Sequence, residues 1–164
     1  MTAKELVSRR FVRIGEGHSM AEAIGIIFDP EASALREIVI VVLASDGDYT
    51  GLIEPRDLLE SLATDLSSAG EDVDAQIEAL RRGLKVPVAE IARRNLPSVD
   101  INDGLATLLV LAARTEAAVL PVFREQQFVG VLHLSAIFSA VCKTTIAAEP
   151  DALPFMKGNE ERST

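Results

Sequence analysis

The sequence predicts an α+β fold, with mixed helix and strand, built from two β-α-β-β-α repeats that pack through their sheets with pseudo-two-fold symmetry. Two observations lead to this prediction. The chain has 164 residues and carries one pattern twice, at a period of about eighty residues, which is too long for most stacked repeats. Each copy also contains an apolar hairpin, and the longest apolar run, IVIVVLA at 38–44, is typical of a buried strand.

The repeat is visible when the two halves are aligned. FVRIGEGHSMAEAIGIIF at 11–28 matches LPSVDINDGLATLLVLAA at 96–113 as strand, turn and helix. VIVVLASDGDYTGLIEPRDLLESL then matches VLPVFREQQFVGVLHLSAIFSAV as a hairpin and a second helix. The lead-ins KELVSRR and AEIARRN also match, and the first copy has a few extra residues around DPEASALRE.

Each half is predicted to begin with a short strand, at 11–14 and at 97–101. The helices that follow should begin near Ser19 and Asp103, because both residue types cap helix N-termini well. The hairpins come next, with turns SDGDY and REQQ, and the aspartates and glycine of the first turn are typical of tight hairpins.

The last helix of each half is predicted over 56–66 and 135–146. Pro55 suits the first turn of the earlier one. A helix between the halves should be capped by Ser67 or Ser68 and end near Gly83; its acidic start and basic end complement the helix dipole. The predicted organisation is therefore a first repeat at 1–66, a linker helix at 67–86, a second repeat at 87–146 and a flexible tail at 147–164.

Composition excludes several classes of function. The net charge is −9 and tryptophan is absent, which argues against nucleic acid or an anionic membrane as a partner. No apolar run approaches the roughly 20 residues of a membrane span, and the polar start MTAKELVSRR has no signal core. The single cysteine, Cys142, excludes an internal disulfide and a multi-cysteine metal site. We expect a cytoplasmic protein.

The ordered set of segments resembles a pair of CBS domains, the module named after cystathionine β-synthase. The resemblance spans about residues 3–146, and its most telling parts are GLIEPRDLL and GVLHLSAIF, each a glycine and two apolar residues followed by a turn and a helix. It implies a regulatory, non-catalytic module whose two clefts hold adenosine-type ligands such as AMP, ADP, ATP or S-adenosylmethionine.

The resemblance also implies site residues. In the family, a Thr or Ser ends the last strand and an Asp three positions later binds the ribose hydroxyls. Here Asp57 fills the ribose position, whereas Glu54 replaces the hydroxyl residue. The adenine is expected between the lead-in and the first hairpin strand. The candidate ligand-binding residues are Asp57, Arg56, Glu54, Arg10, Phe11, Val12, Val39, Ile40 and His133.

Two interpretations of Asp57 stay open. A carboxylate accepts two hydrogen bonds from a vicinal diol, and such charge-assisted bonds are the stronger ones. Alternatively, Asp57 only stabilises the N-terminus of the helix, which contributes roughly 0.3–1 kcal/mol.

The second cleft is predicted to be weaker, because Ala136 stands where Asp57 stands in the first. His133 takes the place of the hydroxyl residue, where it contacts a phosphate, or titrates near neutral pH, or is simply a surface residue. In the first cleft, Glu54 disfavours phosphates unless Arg56 and the arginines near the first strand compensate. A nucleoside or S-adenosylmethionine is therefore favoured over ATP.

A homodimer is predicted from the segments 104–113 and 134–142, neither of which carries a charge. An outer helix normally has a polar stripe, so an uncharged one should be covered by a second copy. The predicted function is a sensor that binds an adenosine-type ligand and regulates a separate partner protein. The alternative is a ligand-free scaffold with degenerate clefts.

Overall fold

The computed structural model describes residues 1–27, 29 and 38–148. Its helices are α1 (Ala3–Leu6), α2 (Met20–Ile27), α3 (Pro55–Ser67), α4 (Val73–Gly83), α5 (Val88–Ile91), α6 (Leu105–Ala113) and α7 (Leu134–Ala148). Its strands are β1 (Val12–Gly15), β2 (Ile40–Leu43), β3 (Tyr49–Ile53), β4 (Val99–Asp100), β5 (Val119–Arg124) and β6 (Gln127–His133). Most of the extra residues of the first copy lie outside the described part, as does the predicted flexible tail beyond residue 148; its first two residues, 147 and 148, belong instead to α7.

The strands form two sheets of the same topology, ordered β1-β2-β3 and β4-β5-β6. In each sheet the first strand runs parallel to the second, and the second and third form an antiparallel hairpin. The pairing register shifts near the turn of each hairpin. The shift lies between Val42 and Leu43 in the first sheet and between Val122 and Phe123 in the second. The mixed fold with two equivalent sheets is confirmed.

Alternation along the strands divides the interior into three layers, since successive side chains point to opposite faces. Ile40 and Val42 join the core between the first sheet and its helices. Val39 and Val41, which alternate with them along the strand, join Val119 in a core shared by both sheets. Leu120 and Val122 belong to the core under the second set of helices. The two sheets therefore face each other, as predicted.

The two lead-ins cross between the repeats. Ser8 pairs with Val131 at the edge of the second sheet, and Arg93 pairs with Leu52 at the edge of the first. Ala3 of α1 is buried in the core of the second repeat. Val88 of α5 is buried in the core of the first. Each repeat is thus completed by a segment that precedes the other one in the chain.

The glycine of each GLI/GVL segment explains how the lead-ins come so close. A Cβ at Gly51 would lie 2.8 Å from the carbonyl oxygen of Arg93, and one at Gly130 would lie 2.6 Å from that of Ser8. Both distances are shorter than the van der Waals contact distance between carbon and oxygen. Only glycine therefore lets the crossing segment approach the sheet edge this closely.

Two predicted helix caps are wrong. The linker helix α4 is capped by Asp72, whose side chain accepts from the Asp74 N–H, because Ser67 is still part of α3 and Ser68 is its C-cap. The N-cap of α6 is Gly104. Asp103 instead accepts a hydrogen bond from the Asp100 N–H at 2.8 Å, so its carboxylate closes the turn before the helix.

No helix in the described ranges is long and apolar enough to cross a membrane.

Candidate functional site at the Asp57 end of the first sheet

Strand register brings the predicted adenine residues to one end of the first sheet. Val12 is the partner of Ile40, and Ile40 is the partner of Ile53, the last residue of β3. The Val12 N–H also donates to the Val39 carbonyl at 2.9 Å. The lead-in, the start of β2 and the segment that follows β3 therefore lie side by side, with Asp57 one helical turn further on.

Asp57 is buried, with 7% of its surface exposed, and among the residues that the structure describes no other charged or polar side chain is buried to this extent. Its Oδ2 accepts a hydrogen bond from the Glu54 N–H at 2.7 Å. Its Oδ1 accepts one from Nε of Arg93 at 2.5 Å. The carboxylate therefore stabilises the start of α3 and also joins the two halves of the chain. Its ribose role stays a prediction.

Arg93 is a functional candidate that the sequence did not reveal. It precedes the second repeat, 36 positions from Asp57, and its aligned counterpart in the first lead-in is Ser8. Arg93 reaches Asp57 because its backbone pairs with Leu52 in both directions, at 2.8 and 3.2 Å. The sequence signal that could have revealed this contact is Gly51, since a glycine within a strand indicates close approach of another backbone.

Glu54 spans the gap between the repeats. Its Oε1 accepts a hydrogen bond from the Ala118 N–H at 3.0 Å, just before β5. Burial raises the pKa of Glu54, and Asp57 nearby raises it further, whereas the bond from Ala118 and the charge of Arg93 act in the opposite direction. Glu54, Asp57 and Arg93 together bring two carboxylates and one guanidinium, so the cluster has one excess negative charge when all are ionised.

The remaining first-cleft candidates have other contacts. Arg56 is exposed, and its Nε donates to Glu60 at 2.6 Å on the surface of α3. Arg10 is exposed as well. The rings of Phe11 and Phe128 are in a T-shaped arrangement with centroids 5.5 Å apart, and the Arg13 guanidinium lies over the Phe11 ring, 4.8 Å from its centroid. Phe11 therefore reaches from the lead-in into the layer between the sheets.

In the second repeat, His133 ends β6 opposite Val119 and is half-buried. Ala136, also half-buried, follows at the place that Asp57 has in the first repeat. The Leu134 N–H donates to the Ala118 carbonyl at 2.9 Å, so Ala118 links the end of β6 to Glu54. Alanine supplies no side-chain acceptor for a diol, and the predicted weakness of this cleft rests on that difference.

Two hollows lined by described residues lie away from Asp57. One, of about 500 Å³, is bordered by both hairpins near Tyr49 and Phe128, which is the opposite end of β3. The other, of about 400 Å³, is bordered by the segment around His18 and by Ser45. Within residues 1–27, 29 and 38–148, no cluster of three or more His, Cys, Asp or Glu side chains is placed to hold a metal ion.

Comparison with known proteins agrees with this architecture. Residues 88–143 match the family model of the CBS domain. None of the curated proteins compared with the chain is a match. A CBS-domain-containing protein from Agrobacterium tumefaciens has a similar structure, with a TM-score of 0.64 at 20% identity over 85% of this chain and 92% of that one.

Two further solved structures have the same fold. A CBS domain pair/ACT domain protein from Thermotoga maritima has a TM-score of 0.58 at 17% identity, over 88% of this chain and 98% of that one. The cytosolic domain of the Mg²⁺ channel MgtE, solved in complex with ATP, has a TM-score of 0.62 at 21% identity, over 85% of this chain and 48% of that one. Residues 88–143 therefore match the CBS domain in sequence, and the chain as a whole has the fold of a tandem CBS-domain pair.

Proposed function

We propose that this chain is a non-catalytic sensor that binds an adenosine-type ligand beside Asp57 and regulates a separate partner protein in the cytoplasm. CBS domains are regulatory modules that often bind adenosine ligands. One observation carries the proposal for this chain: a buried carboxylate lies one turn beyond the end of β3, beside the strand ends that are expected to hold the adenine.

Electrostatics favour some adenosine ligands over others. Glu54 and Asp57 exceed the charge of Arg93 by one unit, and the chain carries −9 overall. A triphosphate placed beside this cluster is repelled, whereas a neutral nucleoside is not, and the cationic sulfonium of S-adenosylmethionine is attracted. The expected order of affinity is therefore S-adenosylmethionine and adenosine first, then AMP, then ATP. The similar MgtE domain was solved with ATP, which makes ATP the most informative comparison.

Calorimetric titration of the folded protein with adenosine, AMP, ATP and S-adenosylmethionine tests the proposal. The Asp57→Asn variant should bind roughly ten- to hundredfold more weakly, since a charge-assisted hydrogen bond is worth about 1.5–3 kcal/mol. Asp74→Asn is the matched control, because Asp74 is exposed on the linker helix α4. Absence of heat with all four ligands, from well-folded protein, would remove the sensing function.

The second candidate function is a ligand-free scaffold. It is favoured by the partners that Asp57 and Glu54 already have, because Arg93 and Ala118 satisfy them within the chain. A scaffold should show no ligand-dependent heat. Its Asp57→Asn variant should lose only stability, because the pair between α3 and the second lead-in is weakened.

We further propose that the module is a homodimer formed through α6 and α7. Phe138 on α7 is 72% exposed, and Leu109 and Val110 on α6 are 42% and 48% exposed. Neither helix carries an acidic residue in its first turn or a basic one in its last turn. An exposed apolar face on neighbouring helices is typical of an interface, and a second copy covers it with the simplest symmetry.

Sedimentation at micromolar concentration tests the dimer. Phe138→Ser should shift the protein toward monomer. Leu59→Ser is the matched control, since Leu59 is the aligned residue on α3 and is 67% exposed, but it lies beside the Arg56–Glu60 ion pair. A wild-type monomer at that concentration, or equal effects of both variants, would contradict this interface.

A further inference from the structure

We propose that Arg93 is an internal competitor for Asp57, so that an adenosine-type ligand gains the Asp57 carboxylate only by displacing the Arg93 guanidinium. This inference rests on the proposed sensing function and adds to it the residue that sets the ligand concentration at which the site fills.

Both oxygens of Asp57 have hydrogen-bond partners within the chain. The Oδ2 bond comes from the Glu54 backbone N–H and belongs to the start of α3, so breaking it would disturb the helix end. The Oδ1 bond comes from a side chain, the Arg93 guanidinium. With 6% of the Asp57 side chain exposed, a ribose diol finds little free space at the carboxylate. The guanidinium is therefore the partner that a ligand must replace.

The backbone of Arg93 keeps the competitor close. Two hydrogen bonds tie it to Leu52, and the missing Cβ of Gly51 allows that contact. A displaced guanidinium thus remains tethered beside Asp57 at high effective concentration. The apparent affinity of a ligand falls by the fraction of time for which Asp57 is free. Arg93 therefore makes the site respond only at higher ligand concentration.

Displacement of Arg93 also has a structural consequence. Arg93 belongs to the segment that leaves the edge of the first sheet for the second repeat. Its side-chain bond to Asp57 is one of the contacts that join this crossing segment to α3. Ligand binding therefore replaces the Arg93–Asp57 bond with a bond between Asp57 and the ligand. The first and second repeats then lose one of the contacts that join them, so ligand binding changes their relative arrangement.

The test is the affinity of adenosine for Arg93→Met, measured by calorimetry near neutral pH. If Arg93 competes, the variant should bind adenosine about tenfold more tightly than wild type. 2′-Deoxyadenosine, which lacks one hydroxyl of the diol, should gain much less. Arg94→Met is the matched control: it removes the same charge one residue later, and the Arg94 guanidinium donates to the Ala89 carbonyl. It should leave the affinity for adenosine unchanged.

A merely structural role for Arg93 predicts the opposite sign, because a loosened site binds more weakly. If Arg93→Met fails to fold, Arg93→Lys provides the second variant; it keeps the charge but loses Nε, and it should bind adenosine more tightly than wild type by a smaller factor. If wild type binds adenosine and Arg93→Met binds it equally or more weakly, the proposal that Arg93 competes is wrong, but the proposed sensing function stands. Binding by Arg93→Met alone would support both. No binding by either protein would overturn both.

Discussion

Gly130→Ala tests the crossing of the lead-ins, on which the shared architecture of the two repeats depends. The added Cβ would lie 2.6 Å from the Ser8 carbonyl oxygen and 2.7 Å from Cγ2 of Val7. The lead-in must move, yet two hydrogen bonds hold it, Ser8 N–H to Val131 O at 2.7 Å and Val131 N–H to Ser8 O at 2.9 Å. Overpacking costs about 1–3 kcal/mol and each weakened hydrogen bond about 0.5–1.5 kcal/mol, so we expect a loss of about 2–4 kcal/mol in the free energy of unfolding.

Urea unfolding followed by far-UV circular dichroism measures this loss, because the chain contains no tryptophan for fluorescence. Gly25→Ala is the control. A Cβ at Gly25 would meet nothing within 4 Å, and Gly25 lies inside α2, so this variant should gain about 0.5–1 kcal/mol. A loss below about 0.5 kcal/mol for Gly130→Ala, smaller than one hydrogen bond, would refute the close approach of residues 7 and 8 to β6.

Three further predictions concern single side chains. Gly51→Ala should destabilise the protein in the same way, because its Cβ would lie 2.8 Å from the Arg93 carbonyl oxygen; an unchanged urea midpoint would contradict this. Tyr49→Phe should stabilise by about 1 kcal/mol, since the Tyr49 hydroxyl is buried without a hydrogen-bond partner in the described part of the chain and such groups are costly; a loss of stability in urea unfolding would contradict it. Burial raises the pKa of Glu54 above 4.5, so the folded state binds that proton more tightly than the unfolded state, and ionised Glu54 reduces stability at neutral pH. Glu54→Gln should therefore be more stable than wild type at pH 7, with a difference that disappears below about pH 4.5; a difference that grows on acidification would contradict this sign.

The elements were predictable because their signals are local. The apolar run at 38–44 and the acidic turn after it specify a hairpin, and the structure places β2 and β3 on either side of that turn. Pro55 begins α3 as expected. The duplication then implied two equivalent sheets, because equivalent sequences fold alike. The predicted caps of α4 and α6 were wrong, because Ser and Asp near a helix start can satisfy the same backbone N–H groups and Gly is also accepted at an N-cap without any side-chain bond.

Residue patterns alone specified the strands, the five longer helices, the repeat and the acidic residue at the start of α3, but not the short helices α1 and α5 of the lead-ins. The tertiary structure decided which partner that residue has, because the partner lies 36 positions away. It also decided that each lead-in completes the opposite repeat. Periodicity and turn chemistry report contacts within a few residues, whereas the pairing of distant segments follows from how two sheets bury their shared face.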